Sequence, residues 1–198
     1  LVSIFARNFR HSPEKLRQIG MEGEFPAVSS SGAAVAYPVI SKMYAYLEQH
    51  GFSLKQDAVS GEPVCAERKV SSGREIICTE LGYSTIEIAP APAEDMFALN
   101  CSFTDLLRLL TAYFAEQDAL LLGYGIQPLS PPDKRLITPK SRYLLYRNWS
   151  ANRFLNPEQG HDSDFLGITA SSQTHVDVSQ DEAVRAVNVL NGLSGLFI

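Results

Sequence analysis

The stretch Ile19-Gly20-Met21-Glu22-Gly23-Glu24-Phe25 alternates apolar residues with small or acidic ones, and that alternation decides the fold class. Side chains two apart on a strand share a face, so Glu22 and Glu24 project one way while Met21 and Phe25 project the other. Pro26 has no backbone N–H to offer a neighbour and is expected to end the strand. Two further segments repeat the pattern. Ile86-Glu87-Ile88 sets a glutamate against two apolar neighbours, and in Gln173-Thr174-His175-Val176-Asp177-Val178 the residues Gln173, His175 and Asp177 oppose Val176 and Val178. Each strand thus has one face fit to pack against helices and one left for ligand or solvent.

Outward from these strands, turn residues divide the chain into short elements. Ser12-Pro13-Glu14 reads as a helix start running to about Gln18. After the loop Ser29–Gly32, Val35–Gln49 forms an amphipathic pattern stopped by His50-Gly51. Strands are expected over Pro63–Lys69, Glu75–Glu80 and Ser84–Ala89, separated by Ser71-Ser72-Gly73 and Gly82-Tyr83. Helix is expected around Ala93–Phe97 and again over Ser102–Leu121. A strand follows at Tyr124–Gln127, a helix at Pro139–Trp149, a strand at Gln173–Val178 and a helix at Asp181–Phe197. Closely spaced strands with long helices between them imply an α+β fold with an antiparallel sheet rather than a regular α/β alternation.

A chain of 198 residues suffices for one domain with a sizeable core. It begins at Leu1 rather than Met and ends inside an apolar helical pattern at Gly195–Ile198, so residues 1–198 are expected to be the N-terminal portion of a longer catalytic domain. A net charge of −5 without any Lys/Arg block argues against nucleic acid as partner. No apolar run reaches the roughly 18 residues a membrane span requires. Cys65, Cys78 and Cys101 show no CxxC spacing and read as free thiols, buried in the ordinary way, in a reducing compartment such as the cytoplasm.

Polar alternation on an antiparallel strand often means only a solvated face. Here, however, Lys and Arg are absent from the polar faces of all three alternating segments. Carboxylates gathered without counter-charge repel one another, and a divalent cation is the simplest way to offset that. Carboxylate oxygens with one imidazole suit Mg²⁺ or Mn²⁺ better than a soft metal. Glu80 and Glu87 are an odd number of residues apart, which would send them to opposite faces of one unbroken strand; a turn or bulge at Leu81–Ser84 is needed to bring both to one site. Glu80 alone reads equally as a turn residue.

These residues resemble a known family. Ile19–Phe25 is similar to the Gly-x-Glu-x-Glu first strand of glutamate–cysteine ligases of the plant and proteobacterial type, with Gly23 smaller than the usual residue between the glutamates. Glu80 and Glu87 match that family's acidic pair at the same spacing. Gly123-Tyr124-Gly125-Ile126-Gln127-Pro128 resembles its Gly-x-Gly-x-x-Pro loop, Pro139-Lys140-Ser141-Arg142-Tyr143 its Pro-Lys-x-Arg-Tyr segment, and Ser172–Val178 a later central strand. The resemblance spans roughly Ile19 to Ile198. It implies a funnel-like antiparallel sheet related to that of glutamine synthetase, with helices on its outer face and Mg²⁺ (or Mn²⁺) and ATP at one end. The implied reaction is ATP-dependent amide formation between the glutamate side-chain carboxylate and an amine, cysteine first among them, through an acyl phosphate, as in glutathione biosynthesis.

Carried over residue by residue, the resemblance makes Glu22, Glu24, Glu80, Glu87 and His175 metal ligands, with Gln173 and Asp177 as weaker candidates. Arg142 becomes the catalytic clamp on a substrate carboxylate or phosphate, since a planar guanidinium grips either in two places; as a helix residue it reads equally as a surface charge. Lys140 joins it as a nucleotide-binding candidate, though by itself it reads as surface. Tyr143, Tyr146 and Trp149 read as core aromatics. The family's further acidic strand and Arg-containing motif would lie beyond Ile198, so this stretch alone is expected to lack part of the ATP site. Two other readings use the same residues: a metal-dependent hydrolase that activates water without a nucleotide, and a non-catalytic binding fragment of the same fold.

Overall fold

The alternation at Ile19–Phe25 folds as the first part of β1 (Ile19–Ser29), the strand about which the sheet is arranged. In the computed structural model, residues 17–153 and 162–196 are described. The helix expected over Ser12–Gln18 lies outside them except for Arg17 and Gln18, which lead into β1 without helical structure.

Along one edge β1 pairs with β5 (Thr85–Ala89) from Gly23 to Pro26. Along the other it meets β7 (Ser172–Val176) over Ile19–Gly23 and β6 (Ala119–Leu121) over Ala27–Ser29. Beyond β5 lie β4 (Gly73–Thr79), β3 (Pro63–Val70) and β2 (Ser53–Gln56), giving the order β2-β3-β4-β5-β1-β6 with β7 beside β1. Every pairing is antiparallel, and helices separate the strand groups, so the fold is α+β with an open antiparallel sheet.

Pro26 does not end β1. Its missing N–H falls between the last β7 pair at Gly23 and the first β6 pair at Ala27, where no strand requires it. Its carbonyl still accepts a hydrogen bond from the Leu122 N–H at 2.9 Å.

Two helices cover the apolar face of the sheet. In α1 (Tyr37–Gln49), Ile40, Met43, Tyr44 and Leu47 recur at helical spacing and are all buried. The Tyr44 hydroxyl accepts from the Thr79 N–H at 3.2 Å, tying this helix to the end of β4. The second, α2, is one continuous helix over Met96–Glu116, not two, because Asp95 caps it: its carboxylate accepts from the Phe97 and Ala98 N–H groups, both at 2.8 Å. Leu106, Leu110, Tyr113 and Phe114 of α2 meet Ala66, Ile77, Ile86 and Ile88 of the sheet in the core. Gly23 lies on this face as well. A Cβ there would sit 2.9 Å from the Phe103 ring, so the small residue between the two glutamates lets α2 approach the sheet closely.

Two sequence expectations fail just after α2. The helix does not run on to Leu121, because Asp118 takes a left-handed conformation (φ 52°) that reverses the chain into β6. Tyr124–Gln127 is not a strand; Gly123, Gly125 and Pro128 break the run, and only an isolated bridge joins Ile126 to Thr169. Further on come α3 (Ser141–Arg153), the single turn α4 (Asp162–Phe165) and α5 (Ala183–Leu193). Among the described residues no helix is long and apolar enough to cross a membrane.

Candidate active site

The polar face of the sheet carries a row of directly paired side chains. From β2 to β1 it runs Lys55, Cys65, Cys78, Glu87, Glu24, each opposite the next. Ser171 continues it, receiving the Glu24 N–H on its carbonyl at 3.0 Å. In the β4–β5 hairpin directly paired residues are an odd number apart, and Cys78, two residues before Glu80, pairs with Glu87. The odd separation of Glu80 and Glu87 therefore places them on one face across the β4–β5 hairpin, and no bulge is needed.

The tightest group of candidate ligands is Cys78, Glu80 and Glu87, whose donor atoms all lie within 4.8 Å of one another. The Cys78 thiol donates to Glu87 Oε1 at 3.3 Å. Burial, then hydrogen bonding and charge from Glu80, push the Glu87 carboxyl up to about 8, with the Glu22 charge adding a smaller push. Glu24 is also raised, chiefly by burial and also by the Glu80 charge, against hydrogen bonds from Ser171 that pull it down. Those bonds come from the Ser171 N–H at 2.8 Å and its hydroxyl at 3.0 Å. Glu22 stands further along the same face, 3.1 Å from the half-exposed His175 ring. Gln173, opposite Glu22, reaches Glu24 Oε1 at 3.5 Å. The sequence candidates thus share one face but divide into a Glu80/Glu87 centre, a Glu24 clamp and a Glu22–His175 pair. Asp177 lies beyond β7, its N–H bonded to the Gln18 carbonyl.

The donor set fits a hard divalent ion: four carboxylates lie on one face, two of them share a centre, and burial resists the ionising of Glu87 and Glu24. Positive charge on this face sits elsewhere. Lys55 and Arg74 both pair with Glu67, towards the β2 edge.

A cleft of about 480 Å³ opens over the Glu80 end, lined among others by Glu24, Glu80, Arg142, Tyr146 and Ser171. Its far wall is α3. The Arg142 guanidinium donates to the Tyr143 hydroxyl at 3.0 Å and lies 4.8 Å from that ring, and Lys140 Nζ is also 4.8 Å from it. Tyr143 is core, as expected, but Tyr146 and Trp149 are not: they are 37% and 46% exposed. Tyr146 lines the cleft instead of filling a core, and the Trp149 ring lies beside it at 6.2 Å between centroids. Asp57 sets the first turn of α3, accepting from the Ser141 N–H and hydroxyl, both at 2.8 Å, and from the Val59 and Ser60 N–H groups at 2.9 and 3.0 Å. These bonds, from Ser60 and Ser141 above all, hold its carboxyl far below the usual carboxylate range.

Three contributors were not read from the sequence as site residues. Cys78 could have been found from hairpin parity with Glu80. Ser171 and Asp57 carry no local signal, because their partners lie 147 and 84 residues away.

The raised Glu87 group has a testable consequence. A carboxyl with a folded-state value of about 8 and an ordinary value near 4.5 binds its proton more tightly when folded. Without a divalent ion, the contribution of Glu87 to stability is therefore fully present below about 4.5 and is lost as pH rises through about 8. Mn²⁺ affinity should rise over the same interval as the ion displaces the proton. Thermal melts in a chelator should show the fall in the native chain and a reduced slope in Glu87→Gln; identical slopes would remove Glu87 from that role.

No curated protein is significantly similar to the chain. A family model does match, covering residues 18–198 and hence every site residue described above, and by that match the chain belongs to glutamate-cysteine ligase family 2.

Proposed function

We propose that this protein is an ATP-dependent ligase that joins the side-chain carboxylate of glutamate to an amine, cysteine foremost, through an acyl phosphate. Family membership supports carboxylate–amine ligase chemistry. The observation that carries the finer reading is the Glu24–Glu87–Glu80 carboxylate grouping on one sheet face, opening into a cleft walled by Arg142.

A free carboxylate is a poor electrophile, and phosphorylation supplies the leaving group. Glu80 and Glu87, with Glu24 beside them and Glu22 and His175 further along the face, would hold Mg²⁺ (or Mn²⁺); bound there, the ion neutralises phosphate charge and aligns the transfer. Arg142 grips a carboxylate or phosphate oxygen from the opposite wall, with Tyr143 orienting its guanidinium. Lys140, at the start of the same helix, adds positive charge towards the nucleotide. Ser171 fixes the direction of Glu24. The three free thiols fit a reducing compartment, the cytoplasm.

The test is release of ADP and phosphate from ATP with Mg²⁺, with and without glutamate and cysteine. The ligase reading expects ADP formation that depends on glutamate and a product amide. Mg²⁺-dependent hydrolysis of another substrate without ATP would favour a hydrolase, and absence of Mg·ATP affinity a non-catalytic binding fragment.

A further inference from the structure

Cys65 and Cys78 stand directly opposite each other on β3 and β4. The hairpin joining these strands has a two-residue turn, Ser71-Ser72, closed by the pair Val70–Gly73. The pair closing such a turn exchanges both backbone hydrogen bonds, and bonded and non-bonded pairs alternate along an antiparallel ladder. Counting back from Val70–Gly73, Cys65–Cys78 falls at a non-hydrogen-bonded position. There the Cα atoms lie only about 4.5 Å apart and the side chains project side by side, inside the roughly 4.4–6.8 Å that a disulfide bridges without moving the backbone. Both thiols are free. Cys65 is partly exposed, whereas Cys78 is buried and donates to Glu87 Oε1 at 3.3 Å. The remaining cysteine, Cys101, is exposed on α2, which packs on the opposite face of the sheet.

We propose that Cys65 and Cys78 are a modification site, closed reversibly to an intrachain disulfide by a small-molecule disulfide. The Cys65 thiolate attacks one sulfur of the reagent, forming a mixed disulfide and releasing one thiol. The Cys78 sulfur then attacks Cys65 Sγ, and the second thiol leaves with the Cys78 proton. Two protein thiols are oxidised and one reagent disulfide is reduced to two thiols, so the exchange balances without another reactant. Exposure assigns the order, since of this pair Cys65 is the one open to a reagent and Cys78, directly opposite, is placed to resolve the intermediate.

Closure has a consequence for the neighbouring carboxylates, and this part rests on the proposed cation role of Glu87. The disulfide has no S–H, so Glu87 loses the donor that Cys78 now supplies. Loss of a group that hydrogen-bonds a metal ligand typically weakens the ion about 10–100-fold, and a weakening of about tenfold is expected here.

The experiment treats the chain with 2-hydroxyethyl disulfide and follows it by intact mass, peptide mapping and Mn²⁺ titration. The expected product has lost two hydrogens, contains a linked Cys65–Cys78 peptide and reverts with dithiothreitol. Cys101→Ser should still form it and Cys65→Ser should not, with melting temperatures verifying that both variants fold. A stable reagent adduct on Cys65 with Cys78 unmodified, or a link to Cys101, overturns the site. Equal Mn²⁺ affinity before and after closure overturns the coupling to Glu87. If neither form binds Mn²⁺, the cation reading fails while a linked peptide still establishes the modification site.

Discussion

Replacing Glu87 by glutamine is expected to lower Mg²⁺-dependent ATP turnover by roughly a hundred- to a thousandfold while leaving the fold intact. Glu87 occupies the middle of the carboxylate row, opposite both Cys78 and Glu24 and grouped with Glu80. Glutamine keeps the volume and an acceptor oxygen for the Cys78 thiol, so packing on either side of β5 is preserved. What it removes is the negative charge that a divalent ion would balance. Because burial disfavours that charge in the ion-free protein, the variant should melt no lower than the native chain, and higher above about pH 8. Turnover and melting are read on the same preparation. Unchanged turnover would take Glu87 out of the active site; lost turnover with a collapsed melting temperature would make it a structural residue.

Gly82→Ala is expected to have the largest effect on stability outside the core. A Cβ at Gly82 would lie 1.8 Å from the Gly167 carbonyl oxygen and 2.7 Å from its carbon, so the clash is with backbone and no side chain can rotate away. The segment that must yield, 167–171, is held by several bonds at once. Ile168 and Thr169 accept from Gln127 and Thr85, Ala170 donates to Gly125, and Ser171 clamps Glu24. Overpacking of this kind costs about 2–3 kcal/mol, a fall of roughly 5–10 °C in Tm for a chain of this size. Displacing Ser171 also releases Glu24, so residual activity should show a raised KM for Mg·ATP. Full stability with alanine would mean that the β4–β5 turn and this segment do not meet as described.

What the sequence made legible was whatever depends on residue spacing within one element. Glu22 and Glu24 share a face because they are two apart, and α1 buries Ile40, Met43, Tyr44 and Leu47 because helical spacing aligns them. The hairpin strands were placed to within a residue or two because Ser71–Gly73 and Gly82–Tyr83 punctuate them. The failures share a different cause. Pro26 stays in β1 only because two neighbouring strands leave a gap at that position, which is a property of the sheet and not of the strand. The α2–β6 boundary turns on the backbone conformation of Asp118, an ordinary residue with no glycine to mark it. β2 is short, polar and at the edge, so its four residues show no apolar alternation.

The same division applies to the site. Face assignments of Glu22, Glu24, Glu87 and His175 follow from alternation, and the structure places all four on one side of the sheet. That Cys78 and Glu80 stand closer to Glu87 than Glu22 does depends on strand order, which spacing alone does not reveal. Arg142 reaches the cleft because Asp57 holds the first turn of α3 from a distant loop.

The most direct test of the account is Mn²⁺ binding followed by electron paramagnetic resonance, comparing the native chain with the double variant Glu80→Gln/Glu87→Gln and with Glu67→Gln. Glu67 lies on the same face but is already paired with Lys55 and Arg74, so it controls for general negative charge. The account predicts that the free Mn²⁺ signal is quenched by the native chain and by Glu67→Gln, and persists with the double variant. Quenching by the double variant equal to that of the native chain would contradict it.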